Sequence, residues 1–354
     1  MKYLKGSIDN SQFKSSRQAR VLQINSKLMK VMFFGVHELE RKHFEEREDC
    51  SFEIVLTPWT LSVDTVSMAE GFDAVSIFIY DDVNEHVLSS LKQIGIELII
   101  IRASGTDHVD MHTAERLEIE VRNIPDYGAE SVAEHTLMLM LAMARKVKPA
   151  IMNAVKHHFS LLHMEGKTLS KKTIGIIGTG KIGLSFINLL KGFEANVIAF
   201  DVNQDYNLAK LFKFKYVGLD ALLENADLIS LHLPLNTQTK YMINAASLLK
   251  MKNEAILVNT SRGAIVNTYD LIHALDKGII SGYATDVYEN EKGIFHREDT
   301  VATDKYLQKL IQHEKVLLTP HLGFATENAI RSIAFQTLYQ LEQWYLQKEA
   351  IEMA

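Results

Sequence analysis

Thr173-Ile-Gly-Ile-Ile-Gly178-Thr-Gly180-Lys-Ile-Gly183-Leu-Ser-Phe-Ile-Asn-Leu-Leu190 is the stretch that decides the fold of this 354-residue chain. An apolar run of strand length leads into three glycines spaced G-x-G-x-x-G, and these open a segment with helical apolar period. Each glycine has a separate task in that setting. Gly178 permits the tight turn, Gly180 lets backbone approach a pyrophosphate, and Gly183 lets the helix pack close to the sheet. The N-terminus of that helix faces the phosphates. Eighteen residues beyond Gly183, the run Val197-Ile-Ala-Phe200 ends in Asp201. A carboxylate there accepts from both ribose hydroxyls and repels a 2′-phosphate. Val202, Asn203 and Gln204 supply no cation. The reading is an NAD site, against the plainer one of an ordinary strand-turn-helix with a solvated aspartate.

The same rhythm extends in both directions. Upstream, Val31–Val36, Phe52–Leu56, Ala74–Tyr80 and Leu98–Ala103 read as buried strands of a parallel sheet. The segment Val83–Ile94 reads as an intervening helix, with Val87, Leu88, Leu91 and Ile94 on one face. Downstream, strands are expected at Asn196–Phe200, Leu228–Leu231, Ala255–Asn259, Ile280–Thr285 and Lys315–Thr319. Alternating βαβ units imply an α/β fold of two doubly wound, Rossmann-like domains around a cleft. Ser131–Val147 joins the halves. Its apolar residues cover much of the helix circumference, which predicts burial on most sides, in the core or against a second subunit.

Composition bounds the function. Hydrophobic residues make up 47% and charged residues 23%, values of a globular protein rather than a disordered one. A net charge of −6 repels phosphate backbones and argues against nucleic acid. One cysteine, Cys50, forms no internal disulfide and suits a reducing, cytoplasmic compartment. No stretch reads as a membrane span, and no His, Cys or carboxylate cluster has metal-ligand spacing. Residues 1–29 form a basic leader, in which Asp9 alone opposes the cations and no continuous apolar core makes a secretory signal. A loosely ordered arm and an organellar transit peptide are the two readings of it.

Three polar sites fall at strand ends in the downstream half. Arg262 lies in Asn259-Thr-Ser-Arg262-Gly263, at the carboxyl edge where open α/β sheets bind ligands. Its planar fork suits the adjacent carboxylate and carbonyl of a 2-keto acid, although pairing with an acid is an arginine's usual fate. The second site is Asp286-Val-Tyr-Glu289-Asn-Glu291, and the third is Thr319-Pro320-His321. Reducing a ketone needs a proton donor near neutrality. Histidine suits the task, and a neighbouring carboxylate favours its protonated form and fixes its orientation.

TIGIIGTGKIG, NTSRGAIV, DVYENE and TPHLGF, in this order and at these distances, resemble the D-isomer-specific 2-hydroxyacid dehydrogenases, most of all their fermentative D-lactate branch. The resemblance covers about residues 30–347. It implies that Arg262 binds and polarises substrate, that His321 donates the proton, and that Glu291 is the partner of His321. It also implies that Asp286, Thr260 and Ser261 lie by the nicotinamide, that Lys181 and Ile182 contact the pyrophosphate, and that Leu233 and Pro234 pass the adenosine. On the substrate side it implies backbone contacts from Ser104 and Gly105, with Tyr80, Tyr127 and Phe324 lining the pocket. Tyr127 also reads as hinge packing, and Tyr80 as a strand end. Two departures stand out. Relatives often have asparagine where Thr239 stands, and a bulky residue before glycine where this chain has Ser104.

The implied organisation is a flavodoxin-like substrate domain from residues 30–127 and 325–354, with an NAD-binding domain over 128–324. The implied reaction reduces pyruvate to D-lactate with NADH, in a homodimer or tetramer. A sibling acting on 2-ketoisocaproate or phenylpyruvate, and a non-catalytic NAD-sensing binding protein, are the competing readings. The presence of all three catalytic residue types favours an enzyme.

Overall fold

The computed structural model describes residues 28–45, 52–296 and 303–352. Cys50 and nearly all of the basic leader lie outside the described residues. Two parallel sheets organise the rest. In the first, β1 (Met29–Phe33), β2 (Phe52–Leu56), β3 (Ala74–Ile77), β4 (Leu98–Ile101) and β5 (Glu120–Asn123) lie in the order β2-β1-β3-β4-β5. This is the flavodoxin-like winding. Every residue of β3 and β4 is buried, as β-branched runs covered by helices on both faces should be. The edge strand β5 is polar and half-exposed, so it carries no apolar run to announce it.

The second sheet contains β6 (Thr173–Ile177), β7 (Asn196–Phe200), β8 (Lys215–Tyr216), β9 (Leu228–Leu231), β10 (Ile256–Asn259), β11 (Gly282–Thr285) and β12 (Val316–Leu318). Their order is β12-β11-β10-β9-β6-β7-β8, all parallel. Winding reverses between β6 and β9, so a crevice opens there at the carboxyl ends of the strands.

Two chain segments connect the sheets, and they touch. Gly128 has φ +143°, and a Cβ on it would sit 3.4 Å from the Cβ of Ala329. Close by, the Ser131 and Thr326 hydroxyls share a 2.7 Å hydrogen bond. Beyond that point the long helix Glu327–Glu352 returns to the first sheet, where Ala334, Leu341 and Trp344 join Met29, Val31, Phe33, Leu98 and Ile100 in one core.

The expectation of one helix over Ser131–Val147, buried on most sides, is corrected. The helix runs Ala129–Ala144, Lys146 turns left-handed at φ 54°, and a second helix covers Val147–Val155. Val132, Ala133, Thr136, Leu139, Met140 and Ala144 face inward, while Met138 is exposed. The second helix buries no residue, and Ile151, Met152 and Val155 on it are exposed, as are Phe159, Leu161 and Leu162 beyond.

Candidate active site

At the switch point, the glycine turn is tight toward the protein and open toward the cleft. Gly178 has φ +99°, and a Cβ there would meet the His232 carbonyl oxygen at 2.2 Å. A Cβ on Gly183 would meet the Gly178 oxygen at 2.1 Å, whereas one on Gly180 would have no atom within 4 Å. The helix Lys181–Leu190 begins there without a side-chain cap, leaving its first N–H groups to a ligand. Asp201 Oδ2 accepts from the Thr179 N–H at 2.6 Å and from its hydroxyl at 3.0 Å, and Oδ1 accepts from the Asn203 N–H at 2.8 Å. A carboxylate has about four acceptor positions, so one stays open for a ribose hydroxyl. These residues fit a dinucleotide. The Lys181 ammonium is paired with Asp126, 2.8 Å off in the wall of the cleft.

One cavity of about 430 Å³ runs from this turn to the first sheet, and its walls include Ser104, Gly105, Asp107, Tyr127, Lys181, Ile182, Leu233, Pro234, Thr260, Ser261, Arg262, Asp286, His321 and Phe324. Thr260 and Ser261 spend their hydroxyls inside the protein. Thr260 shares a 2.7 Å bond with Thr136, and Ser261 donates to the Leu231 carbonyl at 2.6 Å.

His321 and Glu291 come from loops after neighbouring strands and meet at 2.6 Å, Nδ1 to Oε1. The second Glu291 oxygen accepts from the Tyr288 N–H at 2.8 Å, which fixes the carboxylate. Engaging Nδ1 leaves Nε2 for the cavity. His321 has φ 56°, a costly conformation for a non-glycine residue. Its N–H donates to the Asp286 carbonyl at 2.7 Å. The Asp286 carboxylate anchors the same loop by accepting from the N–H groups of Leu322 at 2.8 Å and Gly323 at 2.7 Å. It also bonds Thr319 Oγ1 at 2.5 Å and His135 Nε2 at 3.1 Å. Burial pushes this carboxyl up, but the His135 bond, the charge of His321 and the Thr319 hydroxyl hold it below the usual carboxylate range.

Arg262 reaches across from β10 to the loop after β4. Its Nε donates to Asp107 Oδ1 at 2.9 Å and its Nη1 to the Ser261 carbonyl at 2.9 Å. A Cβ on Gly105 would lie 1.6 Å from Nη2, so only glycine admits the guanidinium here. The backbone N–H groups of Ser104, Gly105 and Thr106 have no acceptor among the described residues and border the cavity. Together with the arginine they make a cradle for a carboxylate.

Tyr80 does not line this cavity. It stands behind His321, with ring centroids 6.3 Å apart, and its buried hydroxyl has no partner among the described residues. Burial pushes that phenol up, so it stays protonated. Phe324 lies 6.4 Å from the His321 ring, and His296 lies 6.2 Å from it. Sequence reasoning missed His296, whose Nε2 lies 2.9 Å from the Pro320 carbonyl and 3.1 Å from that of His321. Also missed were Asp107, His135 and His37, the last stacked edge-on 5.0 Å from His296. Proximity to recognised motifs was the available signal, since Asp107 is two residues from Gly105 and His296 five from Glu291.

Residues 137–323 match the family described as D-isomer specific 2-hydroxyacid dehydrogenase, NAD binding domain. The chain is 35% identical to the D-lactate dehydrogenase of Escherichia coli (strain K12), over 88% of this chain and 96% of that one. The NAD-complexed D-isomer specific 2-hydroxyacid dehydrogenase of Lactobacillus delbrueckii ssp. bulgaricus superimposes with a TM-score of 0.73 at 29% identity, covering 91% of this chain and 98% of its own. A D-2-hydroxyisocaproate dehydrogenase structure gives a TM-score of 0.76 at 29% identity, with 90% and 98% covered. The chain therefore belongs to the D-isomer-specific 2-hydroxyacid dehydrogenase family. It is an NAD-dependent enzyme with a Rossmann-type fold, and its substrate is a small-molecule acid. Among the described residues no helix is long and apolar enough to cross a membrane.

Proposed function

We propose that the enzyme reduces pyruvate to D-lactate. The observation that carries this reading is how the space around His321 is filled. Phe324 stands in the cavity wall with its ring 6.4 Å from the imidazole, Phe78 braces it 5.4 Å behind, and Tyr80 and His296 back the His321 ring at 6.3 and 6.2 Å. A methyl group suits the space beside Phe324, and a longer side chain needs that braced ring to move.

In this reading the 128–324 segment is the NAD-binding domain, while 30–127 with 325–354 is the substrate domain, hinged where Gly128 meets Ala329. Asp201, Leu233, Pro234 and the Gly178–Gly183 turn hold the cofactor, with the Lys181 and Ile182 backbone at its phosphates and Thr260, Ser261 and Asp286 beside its nicotinamide. Bound NADH supplies the hydride that reduces C2. The N–H groups of Ser104 and Gly105 hold the substrate carboxylate, Tyr127 closes over it, and Arg262 draws charge onto the carbonyl oxygen. His321 gives its Nε2 proton to that oxygen, and the Glu291 carboxylate stabilises and orients the imidazolium. Asp286 keeps the His321 loop in its left-handed turn, so the proton donor does not drift. Closure of the cleft about the hinge excludes water from these groups.

The test is initial rates of NADH oxidation with pyruvate, 2-ketobutyrate, 2-ketoisocaproate and phenylpyruvate, with chiral analysis of products. Highest kcat/KM on pyruvate and a D-lactate product fit the proposal. Preference for a bulky acid would move the enzyme to the sibling class. The exposed apolar row from Ile151 to Leu162 supports assembly as a homodimer. Light scattering should give twice the chain mass, and Phe159→Asp with Leu161→Asp should halve it. A fourfold mass would mean a tetramer.

A further inference from the structure

Asp107 and Arg262 belong to different sheets. Asp107 follows β4 of the first, and Arg262 follows β10 of the second. Their 2.9 Å bond therefore bridges the cleft, and its two side chains are about three-quarters buried. Two other cross-cleft pairs, Lys292 Nζ to Asp82 Oδ1 at 3.3 Å and Lys181 Nζ to Asp126 Oδ2 at 2.8 Å, are half exposed or more and so screened by solvent. The Asp107 pair is different because it lies in the wall of the cavity and is largely buried.

Guanidinium carries five N–H donors in a rigid plane. Here Nε–H is held by Asp107 and one Nη1–H by the Ser261 carbonyl. The three remaining N–H groups lie at the outer end of the fork, and Gly105 leaves space for Nη2 beside the free N–H groups of its own loop. Without Asp107 the long side chain has one backbone anchor and many rotamers. We infer that Asp107 is a positioning residue that sets the Arg262 fork when the two sheets close, so that closure of the cleft and orientation of the substrate are one event. This rests on the proposed role of Arg262 as the substrate clamp.

Neutral pairing has a consequence. With its charge offset by Asp107, the arginine contributes less to long-range attraction of the keto-acid anion and more to geometry in the transition state. Loss of Asp107 should then lower kcat more than it raises KM. The experiment compares Asp107→Ala, Asp107→Asn and Arg262→Gln, with the Asp107→Ala/Arg262→Gln double variant, by steady-state rates on pyruvate and by NADH fluorescence titration.

Expected are a kcat reduced at least tenfold in Asp107→Ala, unchanged NADH affinity, and recovery of most of kcat in Asp107→Asn, whose amide oxygen still accepts from Nε. The double variant should be no slower than Arg262→Gln alone, because the two residues act as a unit. A lower KM with undiminished kcat in Asp107→Ala would overturn the proposal, since Asp107 would then compete with substrate for the arginine. Multiplying effects in the double variant would overturn it too. Near wild-type rates in Arg262→Gln would instead remove the clamp reading, and this inference with it. If Asp107→Ala does not bind NADH, Asp107→Asn decides: a kcat below a tenth of wild type refutes the positioning role.

Discussion

Replacing Gly105 with alanine perturbs the paired Arg262 and Asp107 side chains and little else. Gly105 is not in the left-handed region, so its backbone accepts a Cβ without strain. The new methyl meets Nη2 of Arg262 at 1.6 Å, and ordinary contact begins at 3.4 Å, so the guanidinium must retreat by about 2 Å. That motion breaks the bond to Asp107 or to Ser261, and it carries the fork away from the proposed substrate position. A hydrogen bond between charged groups contributes about 1.5–3 kcal/mol, and about 1 Å of misplacement costs roughly a hundredfold in rate. The expected loss in kcat/KM on pyruvate is therefore about a hundredfold, or about 2.7 kcal/mol of transition-state stabilisation. NADH affinity should stay within twofold, because the glycine turn that holds it belongs to the other sheet. Stopped-flow rates and fluorescence titration measure the two quantities separately. A kcat/KM within threefold of wild type would refute the placement of Arg262 against this loop. A parallel fall in NADH affinity would show that the damage is not local.

Four further outcomes are expected. Gly183→Ala drives a Cβ to 2.1 Å from the Gly178 carbonyl, a backbone clash that costs about 1–3 kcal/mol of overpacking; NADH affinity should fall at least tenfold and Tm by about 3 °C or more. Asp201→Ala removes the acceptor of Thr179 and the repulsion of a 2′-phosphate, so the NADH-to-NADPH ratio of kcat/KM should narrow by about tenfold or more, mostly through loss on NADH. Glu291→Gln keeps a polar neighbour for His321 but removes its charge, and kcat for reduction should fall about a hundredfold with NADH binding retained. Acid should destabilise the fold below neutrality, for the following reason. Burial lowers His232 to about 3, and His37 and His108 to about 4, so these three stay neutral in the native state while the unfolded chain protonates them below about 6.5. Burial raises Asp81 to about 6, which works the other way, since the native state holds that proton between about pH 4 and 6 while the unfolded chain releases it. Three protons against one leave a net uptake of two on unfolding in that window, so stability should fall by about 2–3 kcal/mol per pH unit between pH 6 and 4. Urea midpoints across that range measure it, and a flat profile would contradict the buried neutral histidines.

The parts of this enzyme legible in its sequence share one property: their physical cause is local. The glycine turn declares itself because Gly178, Gly180 and Gly183 answer steric needs within six residues, and a parallel sheet then collects Asp201, Arg262, Glu291 and His321 at one edge because each follows a strand. The edge strands β5 and β8 lacked that advantage. Glu120–Asn123 is half solvated and Lys215–Tyr216 is two residues long, so neither needs an apolar run. The break at Lys146 was hidden for a similar reason, since a left-handed lysine carries no mark in a pattern that reads only hydrophobic period. The misses in the site have another origin. Asp107, His37 and Tyr80 come from one sheet, while Arg262, His296 and His321 come from the other, and their pairing depends on how two sheets face each other across a hinge. No periodicity encodes that distance. Arg262 makes the point most directly, because the sequence leaves it two fates, pairing with an acid or clamping a substrate. In the fold the acid is Asp107, inside the cavity and on the opposite sheet. On the proposed positioning role, the ordinary fate of an arginine is the means by which closure aims it, and the two readings are not alternatives.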